Sequence, residues 1–365
     1  MEKMSSLSQL IASWFKEYRR DLPWRSSPKD PYRVWISEVM LQQTRVEVVI
    51  PYFERFMLQF PTLESLAEAN DEILLKSWEG LGYYSRVRSL KKAAALLIAS
   101  GQTTLPNQLE ELLKLPGIGP YTAGAILSFA FQKRGIAIDG NVKRVMSRLF
   151  AINYPLDSKE LWNRVKRHLE EDLLLGEESH VLMEGLIELG ALVCTPAPKC
   201  ALCPVASHCI ALSEGRQLEL PIAKKRAEST LITTPVAVVI CEDVQGEEVF
   251  LIRPPKETGL FKGLALFPSE KELFGEKRFS INGEPRLGSK DESFELQTSL
   301  EEIVQTYTRY KETLRPAIYK ALSLEEREGL MWLTKEQLET LSMPAGHRKL
   351  RKMTFAFLER SKLCN

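Results

Sequence analysis

The chain has 365 residues, 44% of them hydrophobic, and its 49 Lys and Arg against 48 Asp and Glu leave a net charge of +1. That length allows two or three domains with substantial cores, and the sequence contains neither a low-complexity stretch nor an apolar run long enough to span a membrane. A near-neutral balance excludes bulk electrostatics as a route to nucleic acid, so any DNA contact must come from helix N-termini and a few placed cations.

Met1-Glu2-Lys3-Met4 lacks a charged-then-apolar signal pattern, and a reduced, cytoplasmic chain is expected. From residue 1 to about 212 the pattern is helix after helix. Asp30-Pro31 reads as an N-cap followed by proline at the first helical position. Val34, Trp35, Val39 and Leu41 then recur at helical spacing. Further helical runs cover about 46–58, 71–77, 86–100, 107–114, 121–131, 141–151, 158–174 and 178–192, separated by Pro/Gly turns.

Two of these runs flank Leu115-Pro-Gly-Ile-Gly-Pro120, giving a helix, a glycine turn and a second helix over 108–131. Gly117 and Gly119 permit close approach of another backbone, and the amides opening the second helix could meet a phosphate oxygen. On the hairpin alone, a helix–hairpin–helix contact to the DNA backbone and an ordinary αα-hairpin are equal readings. Asp139, in Ile138-Asp139-Gly140-Asn141, reads as an N-cap. A carboxylate there is expected to be held ionised, which suits stabilising a developing cation.

Cys194, Cys200, Cys203 and Cys209 follow within sixteen positions, in a chain with six cysteines in all. Their spacing alone leaves open a zinc site, an iron–sulfur cluster and a pair of disulfides. Residues 213–233 read as a polar, basic linker containing Lys224-Lys225-Arg226. From 234 to 365 the texture becomes α+β, with β-rich runs at Val236–Ile240 and Val249–Ile252 and a charged, Gly/Ser-rich loop or insertion over 269–296.

Hairpin, downstream Asp and four-cysteine loop, in this order, resemble the helix–hairpin–helix DNA glycosylase superfamily. The strings Leu22-Pro-Trp-Arg25, Trp35-Ile-Ser-Glu-Val-Met-Leu-Gln-Gln-Thr44, Pro51-Tyr-Phe-Glu-Arg-Phe56, Gly80-Leu-Gly-Tyr-Tyr84, Asp139-Gly-Asn-Val-Lys-Arg144 and Glu188-Leu-Gly-Ala-Leu-Val-Cys194 narrow this to its MutY branch, the adenine DNA glycosylases. The likeness covers residues 8–212. It continues more weakly in Gly259-Leu-Phe-Lys-Gly-Leu-Ala-Leu-Phe-Pro268, which is similar to the branch's C-terminal domain of Nudix-like fold.

The resemblance implies an all-α helix–hairpin–helix catalytic core with an iron–sulfur loop over 194–209, joined to a Nudix-like α+β domain. It implies a [4Fe–4S] cluster on the four cysteines. It also implies nucleoid association through the substrate, double-stranded DNA carrying adenine opposite 8-oxoguanine or guanine; the sequence carries no signal for the oligomeric state, and a monomer is the default expectation. Glu38 matches the general acid that protonates adenine, and its apolar neighbours are expected to raise its pKa. Asp139 matches the cation-stabilising carboxylate. Tyr121 and Asn141 match residues that orient water or sugar.

Gln43 and Tyr83 match the side chains that fill the space left by a flipped base. Gly117, Gly119 and Lys143 match backbone contacts to DNA. Leu22, Trp24, Arg25, Leu41, Glu184 and Ile187 match the adenine pocket, although Arg25 and Glu184 equally suit a plain ion pair. Tyr121 stands where endonuclease III-like enzymes carry a lysine, and a phenol cannot form an imine. A monofunctional hydrolysis is therefore expected. The alternatives are a bifunctional lyase on damaged pyrimidines and a non-catalytic iron–sulfur DNA-binding protein.

Two departures from the branch stand out. Five residues, rather than six, separate Cys194 and Cys200. Tyr307-Thr308-Arg309 replaces a Phe-Ser-His loop that reads 8-oxoguanine, although arginine can still donate to guanine O6 or N7. The C-terminal domain also lacks the glutamate-rich box of Nudix hydrolases, so pyrophosphate hydrolysis is not expected.

Overall fold

A computed structural model describes residues 6–176, 178–223, 229–256, 258–259, 261–275, 293–307 and 310–363. The chain forms two compact units, one from residues 1–69 and 83–226 and the other from 70–82 and 227–365.

The first unit is helical. Its elements are α1 (Ser6–Tyr18), α2 (Pro31–Leu41), α3 (Val46–Gln59) and α4 (Leu63–Ala67). After the excursion of α5 (Asp71–Ser77) into the other unit come α6 (Ser85–Ala99), α7 (Leu109–Leu113), α8 (Pro120–Ala125), α9 (Gly140–Leu149), α10 (Lys159–His168), α11 (Ser179–Leu192) and α12 (Ile210–Ser213). α8 and α10 continue as wider turns through Ala130 and Leu173. The Asp30 carboxylate accepts from the Tyr32 and Arg33 amides and so starts α2 as expected. One core joins Val145, Met146 and Leu149 of α9 to Leu182, Met183 and Leu186 of α11, with Ile11 of α1 against them. All are fully or nearly buried, each contributing about 1.5–3 kcal/mol of transfer free energy.

Residues 213–223, inside the span read as linker, remain fastened to this unit. Leu220 is buried, the Arg148 Nε donates to its carbonyl at 2.8 Å, and the Leu156 amide donates to the Ile222 carbonyl at 3.0 Å.

In the second unit six strands form one mixed sheet: β1 (Thr230–Glu242), β2 (Glu248–Ile252), β3 (Phe294–Ser299), β4 (Ile303–Tyr307), β5 (Tyr310–Ala321) and β6 (Met331–Thr334). The order is β3-β5-β1-β2-β6, with β4 also paired to β5. β1 and β5 run parallel and the remaining pairs are antiparallel. Both expected strands lie in β1 and β2, and β1 begins at Thr230, also within the span read as linker. Of the expected 269–296 loop, α13 (Glu270–Phe274) and the start of β3 are ordered elements, and 276–292 lie outside the described residues. α14 (Lys335–Thr340) and α15 (Ala345–Leu363) complete the α+β unit. α5 belongs here through the Lys76 ammonium, 2.7 Å from the Glu339 carbonyl, and Glu79, which accepts from the Met343 amide at 3.2 Å. Among the described residues no helix is long and apolar enough to cross a membrane.

Candidate active site

A cleft of about 860 Å³ opens in the helical unit between α2, the hairpin turn, the start of α9 and one face of α11. It collects thirteen of the residues singled out in the sequence: Leu22, Trp24, Arg25, Glu38, Leu41 and Gln43, then Gly117, Gly119, Tyr121, Asp139 and Asn141, and finally Glu184 and Ile187.

Glu38 projects from α2 and is 6% exposed. One carboxylate oxygen accepts from the Tyr121 hydroxyl at 2.8 Å. Burial pushes its pKa up to about 7, with the charges of Asp139 and Glu184 adding to the rise and the tyrosine bond and Arg25 opposing it. Tyr121 is placed by the first turn of α8, directly after Pro120 at the helix start. Burial, then the Glu38 charge, lift its phenol well above the ordinary value.

Asp139 caps α9. Its carboxylate accepts from the Val142 amide at 2.7 Å and from the Asn141 side chain at 2.8 Å. The cap does not depress its pKa as expected: burial outweighs these bonds and the Arg144 charge, and the carboxyl lies above the usual aspartate value. Arg144 extends the chain of contacts, donating to Asn141 Oδ1, the Gly190 carbonyl and the Cys194 carbonyl, each at 2.7 Å. Gly190 lets α11 approach this point, since a Cβ there would sit 2.6 Å from the Asn141 Cβ.

The remaining wall carries paired charge. Arg25 lies 3.4 Å from Glu184 and 3.2 Å from Glu188, and Lys29 lies 3.9 Å from Glu184. Arg20 grips Glu188 with its Nε at 2.9 Å, its Nη2 at 3.0 Å and its backbone amide at 2.9 Å. Burial alone would raise the Glu188 pKa; the bonds from Arg20 and Arg25 override it and hold the carboxyl at about 2. Leu22 and Trp24 are buried, with Trp24 packed edge-on against Phe53 at 5.3 Å.

Gln43 and Tyr83 are exposed and both hold left-handed backbone, with φ of 60° and 48°. Gln43 lies at the cleft and Tyr83 outside its lining. Gly117 also has φ of 80°, and a Cβ there would meet the Ser89 Cβ at 2.6 Å. Gly119 faces open space and caps α8 with φ of −95°. The Lys143 ammonium donates to the Leu156 carbonyl at 3.1 Å, so its charge is engaged within the chain.

All four loop cysteines are free thiols lining one small pocket. Among the described residues, no three His, Cys, Asp or Glu side chains are grouped so as to hold a metal ion. Burial pushes the Cys203 thiol up to about 11, and the other three sulfurs add to the rise. Arg148, 3% exposed, pins the loop: it donates to the Thr195 carbonyl at 2.6 Å and the Pro196 carbonyl at 3.0 Å, and its Nη1 lies 3.4 Å from the Cys194 sulfur. Lys199 is exposed. Between Cys194 and Cys200 the loop turns back, with the Lys199 amide donating to the Val193 carbonyl at 2.9 Å.

In the second unit, Tyr307 ends β4, with its ring 5.4 Å from that of Phe261 and its hydroxyl donating to Glu312 at 2.8 Å. Thr308 and Arg309 lie outside the described residues. Arg20, Lys29, Arg144, Arg148, Glu188 and Gly190 had no role assigned from the sequence, although Arg144, Glu188 and Gly190 lie within the strings that carry the resemblance. The sequence did carry one signal: Glu184 and Glu188 stand four apart on an otherwise apolar helix, hence on one face.

Residues 36–170 match the family model described as HhH-GPD superfamily base excision DNA repair protein. The adenine DNA glycosylase of Buchnera aphidicola subsp. Baizongia pistaciae (strain Bp) is 36% identical over 264 residues, covering 71% of this chain and 72% of that protein. The adenine DNA glycosylase of Homo sapiens is 41% identical over 223 residues, 58% of this chain and 40% of that protein. A thermostable thymine-DNA glycosylase structure superposes with a TM-score of 0.51 at 27% identity, covering 57% of this chain and 95% of that one. By its sequence match to these relatives, and with the hairpin, the cleft and the cysteine loop in one helical unit, the chain belongs to the adenine DNA glycosylase family.

Proposed function

We propose that this protein is a monofunctional DNA glycosylase that hydrolyses the N-glycosidic bond of adenine mispaired with 8-oxoguanine or guanine, releasing adenine and leaving an abasic site. The observation carrying this reading is Glu38: a buried carboxyl with a pKa of about 7, held by the Tyr121 hydroxyl in a cleft that also holds Asp139. Near neutral pH half of it is protonated, which suits a general acid. Its proton goes to the leaving adenine as the C–N bond breaks and the bonding pair departs with the base. The sugar is left as an oxocarbenium-like cation, opposite which Asp139 supplies negative charge. Water then adds to the sugar carbon and loses a proton to the Glu38 carboxylate. Tyr121, with its high pKa, stays a hydroxyl and orients Glu38; it offers no amine for β-elimination.

The adenine pocket is assigned to Leu22, Trp24, Arg25, Leu41, Glu184 and Ile187. The duplex is assigned to the hairpin glycines, Gln43 and Tyr83. Cys194, Cys200, Cys203 and Cys209 suit a [4Fe–4S] cluster: all donors are sulfur, all are free, and they line one small pocket. Bound there, the cluster would cross-link the loop that presents Lys199, with no electron transfer demanded by hydrolysis. We read the mixed-sheet unit as a Nudix-like reader of the opposite base acting through 307–309, and the protein as cytoplasmic.

Single-turnover excision on duplexes with adenine opposite 8-oxoguanine, guanine, cytosine or thymine tests this. Strand breaks appearing only after alkali, and fastest opposite 8-oxoguanine, are expected. Breaks without alkali would point to lyase chemistry, and no release from any duplex would overturn the activity.

A further inference from the structure

Arg86 occupies a place that the excision chemistry does not require. It is the second residue of α6, and its guanidinium reaches back to the C-terminal end of α2. Nη1 donates to the carbonyls of Val39 at 2.7 Å, Met40 at 3.2 Å and Gln42 at 2.8 Å. The last carbonyls of a helix lack intrahelical partners, and a cation there meets the negative end of the dipole. Arg86 thus closes the helix that carries Glu38. One residue past this closure, Gln43 turns into the left-handed region.

Its other neighbour is Tyr83. The guanidinium lies 5.8 Å from the Tyr83 ring centroid, and the Arg86 amide donates to the Tyr83 carbonyl at 2.9 Å. Tyr83, too, has left-handed backbone. Non-glycine residues hold that conformation only where their surroundings over-determine it. Burial lowers the Arg86 pKa to about 10, so it keeps its charge at neutral pH.

We infer that Arg86 is a positioning residue that sets Gln43 and Tyr83 as one unit, so that both side chains enter the mismatched duplex in register when adenine leaves the stack. The inference rests on the reading of Gln43 and Tyr83 as the inserting pair. Lysine would keep donors for these carbonyls but would be a poorer replacement, because an ammonium has no planar face to lay against the Tyr83 ring.

The test uses the full chain and a duplex with adenine opposite 8-oxoguanine, carrying 2-aminopurine beside the mismatch. Fluorescence of 2-aminopurine rises when its stack opens, so it reads insertion without excision. Arg86→Lys and Arg86→Ala are compared with Gln43→Ala/Tyr83→Ala and with the triple variants. Expected are native circular dichroism, a diminished fluorescence rise and excision slowed by about tenfold or more, with Lys milder than Ala. In the Gln43→Ala/Tyr83→Ala background the Arg86 substitution should add nothing further, because the pair through which it acts is gone. Additive losses, an undiminished fluorescence rise, or a shifted pH profile of excision (action through Glu38 instead) would each overturn the proposal. If Arg86→Ala does not fold, Arg86→Lys carries the cycle. A wild type that opens the stack yet releases no adenine would sink the glycosylase reading while leaving this inference standing.

Discussion

Two glutamates, Glu38 in the helical unit and Glu312 in the sheet unit, are buried to the same degree, 6% and 7% exposed, and their surroundings differ completely. Glu312 accepts from three donors: Thr234, Gln305 at 2.8 Å and Tyr307 at 2.8 Å. Through Gln305, which also accepts from the Gly346 amide, it ties β1, β4 and β5 to the start of α15. Glu38 has, among the described residues, a single donor, the Tyr121 hydroxyl, and the charges of two further carboxylates, Asp139 and Glu184, act on it. Burial by itself therefore says nothing about role. A buried carboxylate surrounded by donors is a structural pin; one with a single donor and acidic neighbours is held near its titration point and ready to give up a proton.

The largest expected effect is on chemistry. Glu38→Gln should slow single-turnover excision by about a hundredfold to ten-thousandfold while DNA binding persists. In the wild type the same group sets the pH dependence: it acts protonated and titrates near 7, so the rate should fall as pH rises above about 7. A rate flat from neutral to alkaline pH would erase the contrast with Glu312.

Next come the salt-bridged pairs of the cleft wall. Glu188→Ala leaves Arg20 and Arg25 without their shared partner and should cost about 3–5 kcal/mol in denaturant unfolding. The carboxyl is held at about 2 in the fold, so its contribution is present above the ordinary glutamate value and is lost as pH falls toward 2. Variant and wild type should converge in acid; a gap that persists there would argue against the ion pairs as its source.

Opposite signs at Glu38 and Glu312 sharpen the comparison further. Glu38 titrates at about 7 in the fold against 4.5 unperturbed, so its stability is complete below the lower value and is lost as pH rises through 7. Glu38→Gln should therefore stabilise the protein by up to about 3 kcal/mol at pH 8 and by little at pH 4, followed by thermal unfolding. Glu312→Ala, which strands three donors, should destabilise by about 1.5–3 kcal/mol. Stabilisation by both substitutions would show that donor count is not what separates the two sites.

The smallest effect expected is at Gly119. Its Cβ position is open and its φ is ordinary, so Gly119→Ala should change stability by less than about 0.5 kcal/mol while weakening DNA binding. Gly117→Ala meets both a left-handed φ and Ser89, and should cost about 1–3 kcal/mol before any DNA is added.

The sequence by itself determined the helical unit, the capped start of α2, the hairpin and the two leading strands, because N-caps, prolines, glycines and apolar periodicity are local signals. The family resemblance also picked out thirteen of the residues that line the cleft. Tertiary structure decided what those residues experience. Asp139 is a helix cap, as its local sequence implies, yet burial from elements far along the chain lifts its pKa where the cap alone would lower it. Arg20 reaches Glu188 across 168 positions, and Arg144 joins Asn141 to the Cys194 carbonyl across 50, separations at which no sequence period operates. Ionisation depends on every charge and donor within a few ångströms, and those neighbours are assembled only when the chain folds.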